Sequence, residues 1–211
     1  MLIDSDQIHV ALNAYGIIVN GAFHIGAHDC EEISFYDKLG ISPDSTVWIE
    51  ALQHKVTENK TRGIPNVYNA VITDKDDDDV LFNISNNMQS SSVLEFGTHA
   101  QEHPHVVYIG KIQMKSTTID TFFERNQLDA SKYDFWNFDI QGAELLALKG
   151  GIKSIQHAKA IYLEVNEREL YTGCGLIDEI DILLAQYNFK RVLTSMTQHG
   201  WGDALYVLAP R

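Results

Sequence analysis

The chain has 211 residues with a formal net charge of −13, and 45% of them are apolar. This composition is typical of a globular protein with a sizeable core, and the length predicts a single domain over residues 1–211. The acidic excess argues against nucleic acids and anionic membrane surfaces as partners, because both are bound through clustered Lys and Arg.

Apolar runs alternate with segments of helical spacing. Such alternation predicts an α/β fold whose mostly parallel sheet is covered on both faces. The connection 195–202 is too short for a crossover helix, so the last two strands should pair antiparallel. An N-terminal helical segment (1–20) and a β-rich insert (80–114) complete the prediction. Strands are predicted at 22–26, 46–50, 66–72, 80–84, 92–96, 106–114, 133–140, 160–165, 189–194 and 203–208, and helices at 31–39, 54–60, 119–125, 143–149 and 176–187.

Two cysteines, Cys30 and Cys174, are too few for a disulfide scaffold, and buried inert thiols are expected. The first residues lack the basic and apolar regions of a secretory signal, and no stretch has the length of a membrane span. A cytoplasmic protein is therefore expected. The acidic run 74–79 lacks the glycine and closing glutamate of an EF-hand loop, which favours a solvated turn.

Polar residues stand at the ends of consecutive predicted strands. In an open parallel sheet, ligands bind beyond the carboxyl ends of the strands, so these positions are the first candidates for a site. Packing does not explain them, because a buried strand has no need to finish in a carboxylate. They are Gly26, Glu50, the segment 69–74, Asp139 and Glu164.

Gly26 and Glu50 have the spacing of a nucleotide-binding pair. A glycine turn lets backbone approach a ligand, and an acidic residue roughly 20 positions later binds ribose hydroxyls. Here the separation is 24 residues. The alternatives are an ordinary turn glycine and a surface carboxylate that ends a strand.

The turn after Gly26 favours one class of nucleotide over another. It lacks the further glycines of a dinucleotide fingerprint, and Asp29, Glu31 and Glu32 would repel a pyrophosphate. S-adenosylmethionine has no phosphate and carries a sulfonium cation, so an acidic turn suits it. No phosphate-binding Gly-Lys-Ser/Thr motif is present.

At this point the chain resembles a known family, the FkbM-type methyltransferases with the class I S-adenosylmethionine-dependent fold. His24 and Cys30 depart from residues that many members carry, Asp and Gly respectively. The strongest matching stretch is 135–144, followed by 148–150. The other matching segments, in order, are 23–28, 48–51, 69–71 with Asp74, 90–94, 161–165 and 200–206.

The resemblance implies a Rossmann-like seven-stranded sheet with an antiparallel C-terminal hairpin. It further implies S-adenosylmethionine as cofactor and O-methyl transfer to a hydroxyl of a sugar or sugar-containing acceptor, either a glycan or a nucleotide-sugar. The cofactor-binding residues that it implies are His24, Gly26, Ala27, Glu50, Ala51, Asn69, Ala70, Ser91, Ser92 and Asp139.

Three residues are candidates for the chemistry. A sugar hydroxyl needs help to lose its proton, and Asp139 is the first choice for the base, with a helix N-cap near Ala143 as its alternative role. Glu164, with Asn166, is expected to bind acceptor hydroxyls. His199 is the third candidate, against the alternative of a solvated loop histidine.

Other side chains have two interpretations each. Ser91 and Ser92 either donate to the cofactor or lie in an exposed turn. Trp136, Trp201 and Tyr171 are candidates to stack on a sugar, with the core as the better place for Trp136. A divalent metal held by Asp139, Glu164 and Asp203 is a further option without sequence support.

Two other functions compete with the methyltransferase. An NAD-dependent oxidoreductase would need the missing glycine fingerprint and a second mononucleotide half. A non-catalytic module that binds S-adenosylmethionine or a sugar would share Gly26 and Glu50. In the methyltransferase hypothesis, the acceptor is a small molecule or glycan. It is selected by the N-terminal segment, the insert and the loop before the last strand, or by a partner chain.

Overall fold

The computed structural model describes residues 1–209, in which ten strands form two sheets. Four central strands are buried along their whole length on both faces, which explains their continuous apolar runs. The strands are β1 (Ala22–Ile25), β2 (Thr46–Glu50), β3 (Val67–Asn69), β4 (Val71–Ile72), β5 (Asp79–Ser85), β6 (Tyr108–Thr117), β7 (Phe135–Phe138), β8 (Ala160–Asn166), β9 (Phe189–Met196) and β10 (Trp201–Leu208).

The larger sheet has seven strands in the order β3-β2-β1-β7-β8-β10-β9. Its first five strands run parallel, and the strand order reverses between β1 and β7. Strand β10 pairs antiparallel with both β8 and β9. This topology confirms the predicted α/β, Rossmann-like fold with an antiparallel C-terminal hairpin.

The smaller sheet has the order β4-β6-β5 and corrects two predictions. The single strand predicted over 66–72 is interrupted at Ala70, after which β4 leaves the large sheet and pairs with β6. The strand predicted over 92–96 is wrong, because only isolated bridges at Ser92 and Phe96 form there. The Ser92 hydroxyl bonds the Gln141 carbonyl and the Leu94 N–H, which diverts this segment from a regular ladder.

Seven helices connect and cover the sheets in the described part of the chain. Capping starts two of them, since Asp4 accepts from Asp6 N at 2.8 Å and Thr118 accepts from Thr121 N at 3.1 Å. No helix described here combines the length and apolar character needed to cross a bilayer. The helices are α1 (Ser5–Ala14), α2 (Ile33–Lys38), α3 (Gln53–Thr61), α4 (His99–Glu102), α5 (Ile119–Arg125), α6 (Glu144–Lys149) and α7 (Ile177–Gln186).

Apolar side chains pack on both faces of the large sheet. Trp136 is fully buried on one face, where Phe23 packs against it at 5.7 Å between ring centroids. Trp136 is therefore a core residue, as its alternative interpretation states. The rigid sheet fixes the positions of the strand ends, and these ends carry the site.

The acidic segment 74–79 is exposed, but solvent is not its only partner. Asp76 accepts hydrogen bonds from Thr118 and Thr121, Asp77 forms a two-pronged pair with Arg125, and Asp79 pairs with Lys115. The segment is therefore an exposed turn, as predicted, and its side chains also bond to neighbouring elements. These contacts attach the turn to β6 and α5.

Candidate functional site

Two clefts open beyond the carboxyl ends of the parallel strands and share a boundary. The smaller, here named the apolar cleft, has about 580 Å³ of space between its walls, and the larger, named the acidic cleft, about 1230 Å³; both volumes include space open to solvent. Gly26, His28, Gln89 and Asp139 line both of them. The site thus has two chambers of ligand size that meet at the first and fourth parallel strands.

The apolar cleft has hydrophobic walls and a few polar groups at its rim. Its polar side chains include Glu50, Ser91 and Asp139, and the backbone of Gly26 contributes to the same wall. Six of the predicted cofactor-binding residues line this cleft: Gly26, Glu50, Ala51, Ala70, Ser91 and Asp139. Its apolar wall is formed by Ile25, Ile49, Val71, Ile72, Phe82, Met88, Val93, Ile140 and Ala143.

Four predicted cofactor-binding residues lie elsewhere. His24 is buried, contacts the Tyr36 hydroxyl at 2.8 Å, and burial lowers its pKa to about 4. Asn69 donates to the Ala51 carbonyl at 2.7 Å, and Ala27 lines the acidic cleft. Ser92 donates to the Gln141 carbonyl at 2.8 Å. His24, Asn69 and Ser92 therefore support the walls, and neither cleft is lined by them.

Both serines contradict the interpretation as an exposed turn. Ser91 and Ser92 are buried, although the surrounding sequence is typical of a loop. The Ser91 hydroxyl accepts from Ser85 N at 3.0 Å, and its side chain reaches the apolar cleft. The loop is drawn inward because each hydroxyl replaces water as a hydrogen-bond partner for the backbone.

Glu50 ends β2 with both carboxylate oxygens engaged. One oxygen accepts from His28 N at 2.8 Å and the other from Leu52 N at 2.7 Å. Burial raises the pKa of Glu50, and these two N–H donors oppose the rise. Each oxygen retains a further lone pair for a ligand at the cleft rim.

Gly26 brings the turn after β1 against the end of β7. Its φ of +92° is a conformation that glycine adopts without strain, and an added Cβ would lie 1.8 Å from the Asp139 carbonyl oxygen. His28 and Cys30 in the same turn have φ of 40° and 53°. Left-handed backbone costs about 1–3 kcal/mol at such residues and concentrates at ligand-binding turns.

Three buried or enclosed carboxyls stand close together on the acidic side. The Gln141 amide donates to Asp139 Oδ1 at 2.6 Å and to Glu164 Oε2 at 3.1 Å, and Gln141 Oε1 accepts from the Tyr171 hydroxyl at 2.6 Å. Glu144 Oε1 accepts from Ile140 N at 2.9 Å. Gln141 therefore holds two candidate catalytic carboxyls in one arrangement.

The three carboxyls differ in their surroundings. Asp139 opens to solvent in the clefts, yet enclosure by protein raises its pKa, and the hydrogen bond from Gln141 opposes that rise. Burial raises the pKa of Glu144 to about 8. Burial and then the carboxyls of Glu144 and Asp139 raise the pKa of Glu164 well above its usual range. The protonated form is therefore favoured at Glu164 and Glu144, and the three groups titrate together.

Several buried polar atoms near the acidic cleft have no hydrogen-bond partner among the described residues. Glu164 Oε1 and Trp201 Nε1 belong to side chains that line the cleft, and both amide atoms of the fully buried Asn166 share this property. Buried polar groups are paired in most structures. These four atoms are therefore unusual, and they have almost no surface exposed to the cleft in this structure.

The structure also bears on the alternative role of Asp139 and on the expected positions of Tyr171 and His199. The N-cap of α6 is Ala143, so the N-cap role for Asp139 is wrong. Tyr171 is fully buried and its hydroxyl bonds Gln141, which removes it as a stacking platform. His199 lines neither cleft, and its Nδ1 lies 3.2 Å from Glu102 Oε2.

The structure also defines the surroundings of the three carboxylates considered as metal ligands and of the two cysteines. Asp203 accepts from the Tyr162 hydroxyl and from Leu2 N. Among the described residues, the ligand atoms of Asp139, Glu164 and Asp203 do not form a group within 4.8 Å of one another. Cys30 and Cys174 are buried free thiols, and burial raises the pKa of Cys30 to about 12, as an inert thiol requires.

The sequence candidates did not include Gln141 and Glu144, of which only Gln141 lines the acidic cleft. They also did not include three histidines of its lining, His99, His103 and His105. Gln141 and Glu144 lie in the segment with the strongest family resemblance, which is the signal that could have indicated them. The short helix α4 and the loop after it have no periodic pattern. The N-terminal segment, the insert and the start of β10 all contribute to the acidic cleft, through Met1, Leu2, Asn87, Ser90, Val106 and Trp201. No residue of the loop 197–200 lines it.

Comparison with known proteins gives one family match. A family model described as the methyltransferase FkbM domain matches residues 24–191. No curated protein matches this chain in sequence.

The chain is also similar in fold to several solved structures, three of which are described as methyltransferases or a methylase. The Mg protoporphyrin IX methyltransferase of Synechocystis PCC 6803 with bound SAM has 13% identity and a TM-score of 0.46, covering 97% of this chain and 78% of that chain. A SAM-dependent methyltransferase of Bacteroides fragilis with S-adenosyl-L-homocysteine has 8% identity and a TM-score of 0.47, covering 100% and 79%. The ribosomal protein L11 methylase of Lactobacillus delbrueckii subsp. bulgaricus has 9% identity and a TM-score of 0.49, covering 98% and 79%.

Proposed function

The chain belongs to the FkbM methyltransferase domain family, and from this premise we propose that it methylates a hydroxyl of a sugar or sugar-containing acceptor. The family match confirms the resemblance seen in the sequence. It makes the protein a methyltransferase that uses S-adenosylmethionine, in preference to an oxidoreductase or a non-catalytic module. The acceptor and the roles of the individual residues are the proposed part.

The residues of the apolar cleft fit S-adenosylmethionine. Glu50 stands at the rim with lone pairs for ribose hydroxyls, and the apolar wall around Phe82 and Met88 suits an adenine ring. The Gly26 turn leaves space for the amino-acid portion. Within residues 1–209, no Lys or Arg lines either cleft, which suits a sulfonium cation and would leave a pyrophosphate unpaired.

Asp139 is the observation that carries the proposal, because it lines both chambers. When bound, the cofactor supplies an electrophilic methyl group whose carbon–sulfur bond breaks as the acceptor oxygen bonds to the carbon. Asp139 Oδ1 is held by Gln141, which leaves Oδ2 to take the proton of the acceptor hydroxyl. General-base help of this kind contributes about 10²–10⁴-fold in rate.

Glu164 has the complementary role. Its protonated form donates one hydrogen bond and still accepts another, and Gln141 fixes its Oε2. Two carboxyls with different surroundings can then act as base and donor. Positioning the acceptor between them aligns oxygen and methyl carbon, which is the larger part of catalysis for a displacement.

The lining of the acidic cleft supports a sugar as acceptor. The side chains of Glu164 and Trp201 line the cleft, and their Oε1 and Nε1 atoms have no partner in the described residues. A side-chain rotation would bring either buried atom to one of the adjacent hydroxyls that a sugar offers. Trp201 also presents an aromatic ring. Glu31, Glu32 and Asp203 give the cleft a negative field that disfavours nucleic acid.

The test uses the full chain with methyl-labelled S-adenosylmethionine. It is incubated with neutral sugars, glycans and nucleotide-sugars, and in parallel with tRNA, protein and small amines. We expect label on a sugar hydroxyl, identified as an O-methyl ether by mass spectrometry and NMR, and inhibition by S-adenosylhomocysteine. Transfer to an amine, a protein or an RNA, with sugars left unlabelled, would overturn the proposed acceptor class.

A further inference from the structure

Two clusters within residues 1–209 bring three metal-ligating side chains together, with ligand atoms within 4.8 Å of one another. One is formed by His28, Asp29 and Glu31 in the turn after β1. Lys55 Nζ lies 2.9 Å from Asp29 Oδ1, and Glu31 is exposed to solvent. The other is formed by Glu102, His103 and His199, and is here named the histidine cluster.

We propose that the histidine cluster binds a divalent metal ion of the zinc class beside the acidic cleft. Two imidazoles and one carboxylate are a ligand set that zinc uses when its fourth position stays open. The same set suits other nitrogen-preferring divalent ions such as cobalt and nickel, and is unlike the all-oxygen sets of magnesium and calcium.

The geometry is close to that of a metal-bound set. Ligands about 2.0–2.1 Å from a tetrahedral zinc lie roughly 3.3 Å from one another. His199 Nδ1 and Glu102 Oε2 are 3.2 Å apart, and the rings of His103 and His199 are 5.1 Å apart between centroids. One ligand atom of His103 lies within 4.8 Å of the ligand atoms of the other two residues.

Unsatisfied atoms provide a second observation. Glu102 Oε2 is a buried atom that forms no hydrogen bond in the described structure, although His199 Nδ1 faces it. His99, which is 5% exposed, has an unpartnered Nδ1, and its ring is 4.9 Å from that of His103. An acceptor atom and an imidazole left without partners in the same place favour a bound cation.

The cluster is held together by one arginine. Arg168 Nη2 lies 3.5 Å from Glu102 Oε1, and Arg168 donates to the His199 carbonyl through Nε at 3.2 Å. This side chain therefore ties α4 to the loop between β9 and β10. Because it engages Oε1, the other carboxylate oxygen of Glu102 remains for the metal.

The position of the cluster links it to the active site. His103 lines the acidic cleft together with Asp139 and Glu164. An ion there would lie on the acceptor side, away from the apolar cleft. The proposal goes beyond methyl transfer and does not depend on it, because the binding of the metal is measured directly.

The test titrates chelator-treated full chain with zinc sulfate by calorimetry. We expect one site per chain, and at least a tenfold weaker site in Glu102→Gln, His103→Ala and His199→Ala. The matched controls are His157→Ala, an exposed histidine elsewhere, and Asp29→Asn in the rival cluster, both of which should bind like the wild type.

A spectroscopic measurement distinguishes loss of the metal site from loss of the fold. Cobalt(II) added to the wild type should give the visible absorption of a four- or five-coordinate nitrogen and oxygen site, and His103→Gln should lose it while keeping the wild-type melting temperature. Wild-type affinity in His103→Ala and His199→Ala, or loss of the site in Asp29→Asn, would overturn the proposal.

Discussion

The apolar cleft and the acidic cleft each contain a buried glutamate at a strand end, but the two side chains are satisfied in opposite ways. Glu50 receives backbone N–H groups on both oxygens. Glu164 receives one amide hydrogen from Gln141, and its Oε1 has no partner in the described structure. The protein supplies a hydrogen-bond donor to each oxygen of Glu50, whereas Glu164 Oε1 has no donor or acceptor beside it in the described structure. In the proposed function, the cofactor site is thus preorganised and the acceptor site is completed by its substrate.

The same contrast extends to the elements that build each chamber. The apolar cleft is formed mainly by consecutive strand ends and the turn of Gly26. The acidic cleft gathers loops that are far apart in the chain, including the region after α4 and the start of β10. Variation in the loops can change the acceptor without disturbing the cofactor.

The largest effect is expected at the residue that both clefts share. In Asp139→Asn the base is lost, so kcat should fall about 10²–10⁴-fold, while affinity for S-adenosylmethionine stays close to that of the wild type. Turnover with the sugar acceptor and calorimetry with the cofactor measure the two quantities. Asp44→Asn, at an exposed turn, is the control. Full activity in Asp139→Asn would remove the proposed base.

A backbone substitution should affect the apolar cleft almost as strongly. In Gly26→Ala the new Cβ meets the Asp139 carbonyl, so we expect cofactor affinity to fall by about 100-fold, which is about 2.7 kcal/mol. Calorimetry and the melting temperature measure the change.

Gly40→Ala is the matched control for this prediction. Gly40 has φ of +77° and nothing within 4 Å of an added Cβ, so only the backbone cost of about 1–2 kcal/mol remains. Equal losses of cofactor affinity in the two variants would show that contact with Asp139 is unimportant.

Glu50→Gln should weaken the binding of the cofactor and leave the binding of the acceptor unchanged. A hydrogen bond to a charged group is worth about 1.5–3 kcal/mol, so affinity for S-adenosylhomocysteine should fall about 10–150-fold. An analogue that lacks both ribose hydroxyls separates ligand contact from loop support, because the variant should bind it as the wild type does. Glu124→Gln, an exposed change on α5, should alter neither affinity. An equal penalty for both ligands would mean that Glu50 acts only through the turn.

The last prediction concerns the pH dependence of folding stability, not binding or turnover. Burial raises the pKa of Glu144 from 4.5 to about 8, so the folded protein binds more protons than the unfolded chain between these values. The free energy of unfolding should therefore fall as pH rises from 4.5 to about 8.

Glu144→Gln should flatten this dependence, because the amide is neutral and its oxygen can still accept from Ile140 N. Urea unfolding across this range measures the slope, and Glu124→Gln should keep the slope of the wild type. A slope unchanged in Glu144→Gln would assign the proton uptake to another group.

By itself, the sequence determined the α/β fold, the antiparallel hairpin, the family and the cofactor. These properties depend on local patterns, namely apolar runs that make buried strands and a glycine and a carboxylate at strand ends, and such patterns are present in short segments. Six of the ten predicted cofactor-binding residues line the apolar cleft for the same reason. The break at Ala70 and the inward course of Ser91 and Ser92 depend on partners elsewhere in the chain.

Only the tertiary structure decided how distant side chains meet. Gln141 joins Asp139, Glu164 and Tyr171, and His199 lies beside Glu102 and not in the acidic cleft. Hydrogen-bond partners and burial of these groups are set by the packing of non-consecutive loops, which has no periodic signature. The sequence therefore indicated which residues carry polar chemistry, and the packing determined which of them act together.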